Sequence, residues 1–215
     1  VLSLTNDQKI IINLPSTAEL AFGLMLILLR KILLSHNSVL KYDWNYLPYV
    51  GRQVKDLSVG VVGYGRLGKI FCKQLDGFGA KIIVTDPYVD KCKYKLVSLD
   101  SMLPCIDVLV LHVHVSDETR KLINRKTISK IKKGAIIINT SRGELVDERA
   151  IIKALKSKHL SGYATDVVEH EFTDVRKSPI IKNADKLPII VTPHIGGMTI
   201  EGQTMAFLHA VKKFK

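Results

Sequence analysis

Short runs rich in valine and isoleucine recur along this chain, and helical segments separate most of them. The runs lie at residues 59–62, 81–85, 108–112, 135–139, 162–165 and 189–192. Strands that are apolar along their whole length are typical of a parallel sheet covered by helices on both faces. Their alternation with helices therefore predicts an α/β fold, a doubly wound parallel sheet.

Residues with capping chemistry predict several helix ends. Ser16 and Glu19 have the spacing of a capping box, which predicts a helix from residue 16 to about residue 36. The other predicted helices are 67 to about 77, one that begins near Asn124 and is closed by Gly134, and 148–158 with Asp147 as its N-cap.

The net charge of +12 raises the question of nucleic acid as a partner, because clustered Lys and Arg neutralise phosphates. The lysines are instead spread along the chain, as at Lys91, Lys130 and Lys153, which favours solvated helix faces and loops. We therefore expect no nucleic acid partner. The charge also leaves open a second interpretation, in which a positive field attracts an anionic cofactor and an acid substrate.

The longest apolar run, residues 20–29, is too short for a bilayer span, which needs about 20 apolar residues. We expect a buried helix there and no membrane partner. The three cysteines, Cys72, Cys92 and Cys105, have neither a C-x-x-C spacing nor a metal-ligand spacing. No disulfide framework and no metal site is predicted, and a reducing cytoplasmic location fits best.

A glycine-rich motif, Gly63-Tyr-Gly-Arg-Leu-Gly68, directly follows the first predicted strand and starts a predicted helix. Gly63 permits a tight turn, Gly65 lets the backbone approach a pyrophosphate, and Gly68 allows close packing of helix on strand. The phosphates would then lie at the positive end of the helix. The spacing alone also fits an ordinary turn, but its position between strand and helix favours a dinucleotide site.

Asp86 ends the next predicted strand, 18 positions after Gly68. A carboxylate there can accept hydrogen bonds from both ribose hydroxyls and repels a 2′-phosphate, so NAD is favoured over NADP. The alternative is a turn residue before Pro87. Lys91 and Lys93 lie nearby and keep NADP open.

Polar side chains follow three of the predicted strands, and ligands of open α/β sheets bind beyond the carboxyl ends of strands. Arg142 follows the run at 135–139, Asp166 follows 162–165, and His194 follows 189–192. Glu171 lies five residues beyond Asp166, in a long connection that can turn back over the same edge. We expect these side chains to converge beside a bound nicotinamide.

An arginine, a histidine and a carboxylate at that place are what oxidation of a 2-hydroxy acid requires. Arg142 can bind the substrate carboxylate through its planar fork, and His194 can take the hydroxyl proton as hydride leaves C2. Glu171 would fix the imidazole tautomer and stabilise the imidazolium. Taken singly, Arg142 also fits a surface turn and His194 a helix cap. His112 and His114 alternate along a predicted strand, and at least one is expected to be a core or cofactor-contact histidine.

The chain resembles the D-isomer-specific 2-hydroxyacid dehydrogenases over essentially its whole length, and most resembles the D-3-phosphoglycerate dehydrogenase-like members. Six segments in the family's order carry the resemblance: Thr17-Ala-Glu-Leu20, Val59-Gly-Val-Val-Gly-Tyr-Gly-Arg-Leu-Gly68, Asp86-Pro-Tyr88, Asn139-Thr-Ser-Arg-Gly143, Asp166-Val-Val-Glu-His-Glu171 and Thr192-Pro-His-Ile-Gly-Gly197. The chain departs from the family at His114 and Phe172, where proline is usual.

The resemblance implies NAD-dependent transfer of a hydride between nicotinamide and C2 of a D-2-hydroxy acid or 2-oxo acid, with 3-phosphoglycerate among the candidates. It implies Arg142, Glu171 and His194 as the catalytic set. Thr140 and Asp166 would lie near the nicotinamide and Asp86 on the ribose. The full set of implied cofactor contacts is Gly63, Gly65, Arg66, Leu67, Gly68, Asp86, His112, Thr140, Asp166 and Gly196.

The resemblance also implies a homodimer formed through the cofactor domain, with the helix after Ser16 at or near the contact. Family members carry a substrate domain ahead of this region. We expect residues 1–215 to form one NAD-binding domain, with 1–13 a remnant of the substrate domain and hinge and 200–215 a C-terminal helix. Such a chain alone would bind NAD and turn over poorly. The alternative function is a non-catalytic NAD-binding scaffold, as in corepressor relatives.

Overall fold

A computed structural model describes residues 14–213, so the remnant expected at residues 1–13 lies outside the described part. The described residues contain a seven-stranded sheet in the order β3-β2-β1-β4-β5-β6-β7, with every neighbouring pair parallel. Its strands are β1 (Ser58–Val62), β2 (Lys81–Thr85), β3 (Lys95–Leu96), β4 (Val108–Leu111), β5 (Ala135–Asn139), β6 (Leu160–Thr165) and β7 (Ile189–Val191).

Helices lie in the connections between most of the strands and cover both faces of the sheet. The α-helices are α1 (Ser16–Leu29), α2 (Ile32–Val39), α3 (Arg66–Asp76), α4 (Leu99–Met102), α5 (Arg125–Lys130), α6 (Glu148–Lys156), α7 (Pro179–Asn183) and α8 (Ile200–Lys213). Short 3₁₀ turns lie at Leu47–Tyr49, Val54–Asp56, Leu103–Cys105, Gly143–Leu145 and Val175–Lys177.

The predicted doubly wound sheet is confirmed by how β4 is buried. Val108 and Val110 belong to one apolar cluster, which also holds residues of α1 and α3. Leu109 and Leu111 belong to a second cluster on the opposite face, with residues of α5 and α6. Successive side chains of a strand point to opposite faces, so a strand buried on both faces must be apolar throughout.

The strand predictions are correct at β2 and β5 and differ by one or two residues at the ends of the others. β3 was not predicted. It contains only Lys95 and Leu96, which pair with Ile83 and Val84 at the sheet edge. A two-residue strand that begins with lysine has no apolar periodicity to reveal it.

The predicted capping box at Ser16 is wrong. Ser16 is already the first helical residue, and the N-cap is Pro15, whose carbonyl accepts from the Glu19 N–H at 2.9 Å. A capping side chain needs an extended backbone, which Ser16 does not have inside the first turn. The single helix to about residue 36 is also wrong: α1 ends at Leu29, and Lys31 adopts a left-handed conformation, φ 53°, before α2 begins.

The prediction that Gly134 closes a helix is wrong as well. α5 ends at Lys130, and Gly134 lies in the following turn, where its N–H donates to the His159 carbonyl at 2.7 Å. The N-cap prediction for α6 is confirmed, since Asp147 accepts from the N–H groups of Arg149 and Ala150 at 3.0 and 3.1 Å. That helix ends at residue 156 rather than 158.

Within residues 14–213, no helix combines the length and apolar character that crossing a bilayer requires. In the same residues, no three His, Cys, Asp or Glu side chains gather closely enough to hold a metal ion. Cys72, Cys92 and Cys105 are free thiols.

Candidate active site

A run of hydrogen bonds joins the carboxyl ends of β4, β5 and β6. The Ser141 hydroxyl donates to the Leu111 carbonyl at 2.8 Å, and the Asn139 amide donates to the Arg142 carbonyl at 2.9 Å. The Asp166 N–H donates in turn to the Asn139 carbonyl at 3.0 Å. Asn139 is not among the site residues predicted from the sequence, although a polar residue at the end of an otherwise apolar run was an available signal.

Asp166 organises the loop that carries His194. The Asp166 side chain is buried, and its two oxygens accept from the Ile195 N–H at 2.8 Å, the Gly196 N–H at 2.7 Å and the Thr192 hydroxyl. The His194 N–H donates to the Asp166 carbonyl at 2.9 Å, and His194 itself is left-handed, φ 55°. A non-glycine residue in that conformation needs surrounding contacts to hold it, and Asp166 provides them.

His194 and Glu171 lie in direct contact, as the sequence predicted. The Nδ1 atom of His194 is 3.0 Å from the Glu171 Oε1 atom. The His194 side chain is partly exposed, while that of Glu171 is mostly buried. With Nδ1–H donated to the carboxylate, a tautomer inferred from this contact, Nε2 is left as the ring's acceptor. The exposed ring of Phe172 lies 6.0 Å from the imidazole, centroid to centroid.

Arg142 lies on the same edge of the sheet, in the turn after β5. Its side chain is exposed, and one guanidinium N–H donates to the Ser141 carbonyl at 2.7 Å. The next residue, Gly143, packs so closely on the backbone of Val168 and Glu169 that a Cβ atom would overlap it. The turn with Arg142 therefore rests directly on the segment that leads to Glu171.

The glycine-rich loop lies at the carboxyl end of β1. Gly63 has a positive φ of 94°, and a Cβ atom at Gly68 would overlap the Gly63 carbonyl, so both positions require glycine. At Gly65 a Cβ atom would meet nothing within 4 Å. The structure therefore leaves open space over Gly65, at the N-terminus of α3, where the sequence predicted a pyrophosphate.

Asp86 lies beside this loop at the end of β2. Its carboxylate accepts from the Tyr64 N–H at 2.7 Å and from the Tyr88 N–H at 2.9 Å. These contacts fix the carboxylate against the loop and leave it further lone pairs for ribose hydroxyls. Lys93, considered above as a contact to NADP, pairs with Asp76 at 2.7 Å.

Arg66 and Leu67 occupy the first turn of α3. Leu67 is half-buried against the apolar cluster of that face. One guanidinium N–H of Arg66 donates to the Leu14 carbonyl at 2.6 Å, and partial burial lowers the pKa of the guanidinium. Arg66 thus ties the glycine-rich loop to the segment that precedes α1.

His112 and Thr140 hold buried polar atoms that lack a hydrogen-bond partner among the described residues. These are both ring nitrogens of His112 and the Thr140 hydroxyl. Burial lowers the pKa of His112 to about 4, and its ring lies 5.1 Å from that of Phe71. Unpartnered buried polar atoms are rare, and directly after β4 and β5, at the carboxyl ends of the strands, they fit a bound dinucleotide. The placement of His112 and His114 along a strand is wrong, because β4 ends at Leu111 and His114 is exposed.

Residues 22–196 match the family described as D-isomer specific 2-hydroxyacid dehydrogenase, NAD binding domain. The chain belongs to this family. The predicted family, fold and cofactor are thereby confirmed, because the matched region is the family's NAD-binding domain. The roles of the individual site residues stay predictions.

Curated relatives and solved structures agree with this membership. The D-3-phosphoglycerate dehydrogenase of Bacillus subtilis is 35% identical over 211 residues, which cover 93% of this chain and 39% of the relative. A D-lactate dehydrogenase of Curvularia clavata is 40% identical over 167 residues, or 74% of this chain and 48% of the relative. The D-lactate dehydrogenase of Aquifex aeolicus, solved with NAD and lactic acid, superimposes with a TM-score of 0.85 at 30% identity.

The chain spans less than half of the length of those two curated relatives. It covers 65% of the Aquifex aeolicus structure, which in turn covers 93% of this chain.

Proposed function

We propose that this chain supplies the cofactor site and the catalytic residues of an NAD-dependent D-2-hydroxyacid dehydrogenase. The reaction is transfer of a hydride between nicotinamide and C2 of a small D-2-hydroxy acid or 2-oxo acid. The observation that carries the proposal is the 3.0 Å contact between Glu171 and His194, on the same sheet edge as the glycine-rich loop. A non-catalytic scaffold does not require an imidazole held in one tautomer by a carboxylate, so this contact favours the catalytic function.

The residues divide the work according to their chemistry. Bound NAD supplies the ring that accepts the hydride. His194 takes the hydroxyl proton at Nε2 during oxidation and returns it to the carbonyl oxygen during reduction, while Glu171 holds the Nδ1–H. The Arg142 guanidinium binds the substrate carboxylate through paired N–H groups and polarises the C2 oxygen. Asp166 keeps His194 in its left-handed conformation.

The nucleotide is held by the other residues of the edge. Gly65 and the N-terminus of α3, with Arg66 in its first turn, would hold the pyrophosphate. Asp86 would accept from the adenosine ribose hydroxyls, which favours NAD. The Thr140 hydroxyl and the neutral ring of His112 would provide buried polar contacts for the remainder of the cofactor.

A panel of 2-oxo acids tests the reaction. The chain would be assayed together with the substrate domain that the resemblance implies, using NADH with hydroxypyruvate, glyoxylate, pyruvate and 3-phosphohydroxypyruvate. We expect NADH oxidation with at least one of them. The proposed activity would be contradicted if none of these acids is reduced while NADH fluorescence still reports cofactor binding.

NADH binding by the chain alone separates this proposal from nucleic-acid binding. We expect NADH fluorescence to change on titration with the chain, and we expect the affinity for NADH to depend only weakly on salt concentration. A nucleic-acid-binding domain would ignore NADH and bind DNA or RNA with a steep salt dependence. That second result would contradict the proposed cofactor site.

A homodimer is part of the proposal. Apolar side chains of α2 and the segment after it are exposed to an unusual extent: Ile32, Leu33, Leu34, Val39, Leu40, Trp44, Tyr46 and Leu47. Many exposed apolar side chains on neighbouring stretches of chain are typical of a protein interface. Light scattering on the chain should give a dimer mass, and Leu34→Asp with Leu40→Asp should give a monomer. A monomeric wild-type chain would contradict this.

A reducing cytoplasmic location completes the proposal. Cys72, Cys92 and Cys105 are free, and free thiols persist in reducing compartments. Cell fractionation with an antibody against the protein tests it.

A further inference from the structure

Glu148, the first residue of α6, is a buried carboxylate that the proposed reaction does not use. It is 3% exposed. Its Oε1 atom accepts from the Glu169 N–H at 2.9 Å, and its Oε2 atom accepts from the Ser178 hydroxyl at 2.6 Å. One side chain therefore holds both ends of the segment 169–178.

The Ser178 end of this segment is firmly placed. Ser178 is fully buried, and its oxygen accepts from the N–H groups of Ile180 and Ile181 at 3.2 and 3.4 Å, which caps α7. Since the hydroxyl proton is donated to Glu148, the two contacts of Ser178 support each other. The carboxylate thus connects the start of α6 with the start of α7.

The Glu169 end is held from two sides. The Glu148 carboxylate accepts from its N–H, and Gly143 packs against the Val168–Glu169 backbone with no room for a Cβ atom. Glu171 follows two residues later, after His170 in a left-handed conformation, φ 81°. The peptide that aims Glu171 at His194 is therefore clamped between Gly143 and Glu148.

Placing a carboxylate here has a free-energy cost. Burial raises the pKa of Glu148, the neighbouring Glu169 carboxylate acts in the same direction, and the hydrogen bonds from Ser178 and Glu169 oppose them. A first-turn Glu is normally exposed and stabilises its helix without such a cost. The hydrogen bonds from Ser178 and Glu169 offset part of this cost, and they order the segment that carries Glu171.

We propose that Glu148 is a positioning residue: by clamping the peptide before Glu171 between its carboxylate and Gly143, it sets the Glu171–His194 contact. The inference rests on the proposed function, because it assigns Glu148 to the same reaction.

Substitutions at Glu148 give the kinetic test, made in the protein that carries both this chain and the substrate domain. Glu148→Ala removes both acceptors, and we expect kcat to fall by ~10- to 100-fold while NADH affinity changes less than about twofold. Glu148→Gln keeps an acceptor for the Glu169 N–H but none for the Ser178 hydroxyl, whose oxygen already accepts from two N–H groups, so it should restore only part of kcat. Arg149→Ala, on the exposed next residue, is the matched control and should change neither. Unchanged kcat in Glu148→Ala would overturn the proposal.

A double-mutant cycle with Glu171→Gln separates positioning from general damage. If Glu148 acts through Glu171, adding Glu148→Ala to Glu171→Gln should lower kcat by less than about twofold more. Fully additive losses would overturn the proposal. If circular dichroism shows that Glu148→Ala does not fold, Ser178→Ala replaces it in the cycle, because it removes one of the two contacts and leaves the Glu169 contact in place.

The imidazole ¹⁵N signals of His194 in the 215-residue chain give a readout that does not depend on activity. The wild-type chain and Glu148→Gln should show a single tautomer with the proton on Nδ1. Glu148→Ala should show both tautomers, and we expect the same of Glu171→Gln. An unaltered His194 signal in Glu148→Ala would contradict the positioning role. Turnover that survives His194→Ala in the kinetic assay would instead contradict the proposed function. The ¹⁵N result would then still test whether Glu148 positions Glu171.

Discussion

The carboxyl ends of the strands form one edge of the sheet, and this edge has a nucleotide half and a catalytic half that are built by different means. In the nucleotide half, at β1 and β2, glycines make the site by leaving side chains out: Gly68 packs on Gly63, and the space over Gly65 is open. In the catalytic half, at β5 to β7, the buried carboxylates of Asp166 and Glu148 hold the loops with His194 and Glu171. The shape of the glycine-rich loop depends mainly on residues close in sequence. The carboxylates of Asp166 and Glu148 act across 20 or more positions of sequence, as the Asp86 carboxylate also does where it accepts from the Tyr64 N–H.

The largest effect is expected where the catalytic half does its chemistry. His194→Ala removes the proton acceptor, and turnover should fall by ~10²- to 10⁴-fold in the protein that also carries the substrate domain. NADH affinity should hardly change, because the nucleotide half is untouched. Steady-state kinetics and NADH fluorescence, measured side by side, check both statements. Turnover close to that of the wild type would mean that the two halves do not have the roles assigned here.

His112, just after β4, lies between the two halves and should set a pH dependence of stability. Its pKa is about 4 in the folded chain and near 6.5 when unfolded, so between these values only the unfolded chain binds the proton. Stability is therefore lost as the pH falls from 6.5 through 4, and the gap corresponds to roughly 3 kcal/mol.

The check is urea unfolding at several pH values. His112→Gln should flatten this part of the stability profile, whereas His114→Gln, at an exposed position, should leave it as in the wild type. An equal slope in the wild type and in His112→Gln would show that the ring is not buried as described.

A matched glycine pair tests the nucleotide half. Gly68→Ala places a methyl group on the Gly63 carbonyl and should cost about 3 kcal/mol of unfolding free energy. Gly65→Ala adds the same group in open space, so stability should stay within about 0.5 kcal/mol while NADH binding weakens ~10-fold. Unfolding curves and NADH titrations of both variants decide. Similar stability losses in the two would contradict the packing.

Asp166→Asn tests the catalytic half with a smaller change. One carboxylate oxygen becomes an NH₂ group, which faces a backbone N–H of Ile195 or Gly196 and leaves it unpaired, at a cost of about 2 kcal/mol. Turnover should fall more than NADH affinity, because His194 loses its support. If NADH affinity alone is lost, Asp166 acts mainly as a cofactor contact.

The sequence was informative where structure is local. Six strands, the glycine-rich loop and the Asp147 cap could be read from runs and motifs, because each depends on neighbouring residues. The Glu171–His194 contact could be anticipated from the ends of parallel strands and from the family resemblance. The capping box predicted at Ser16 was wrong, because the helix begins one residue earlier than that motif requires and the Pro15 carbonyl accepts the first hydrogen bond of α1.

The contacts by which Glu148 and Asp166 hold the catalytic half could not be predicted from runs and motifs. Glu148 looks like an ordinary first-turn acid, and only the return of the chain at Glu169 and Ser178 buries it. Asp166 was assigned to the cofactor, but the fold also makes it the acceptor for the His194 loop. Both depend on contacts between distant segments, which periodicity and capping rules do not contain.

The claim that both halves face one nucleotide is tested most directly by NMR on the ¹⁵N-labelled 215-residue chain, titrated with NADH and, separately, with ADP-ribose. Both ligands should shift the amide signals of Gly65 and Asp86. Only NADH, which carries the nicotinamide, should also shift those of Thr140 and His194. Shifts confined to the glycine-rich loop with both ligands would contradict the account, because Arg142 and His194 would then face something other than the bound cofactor.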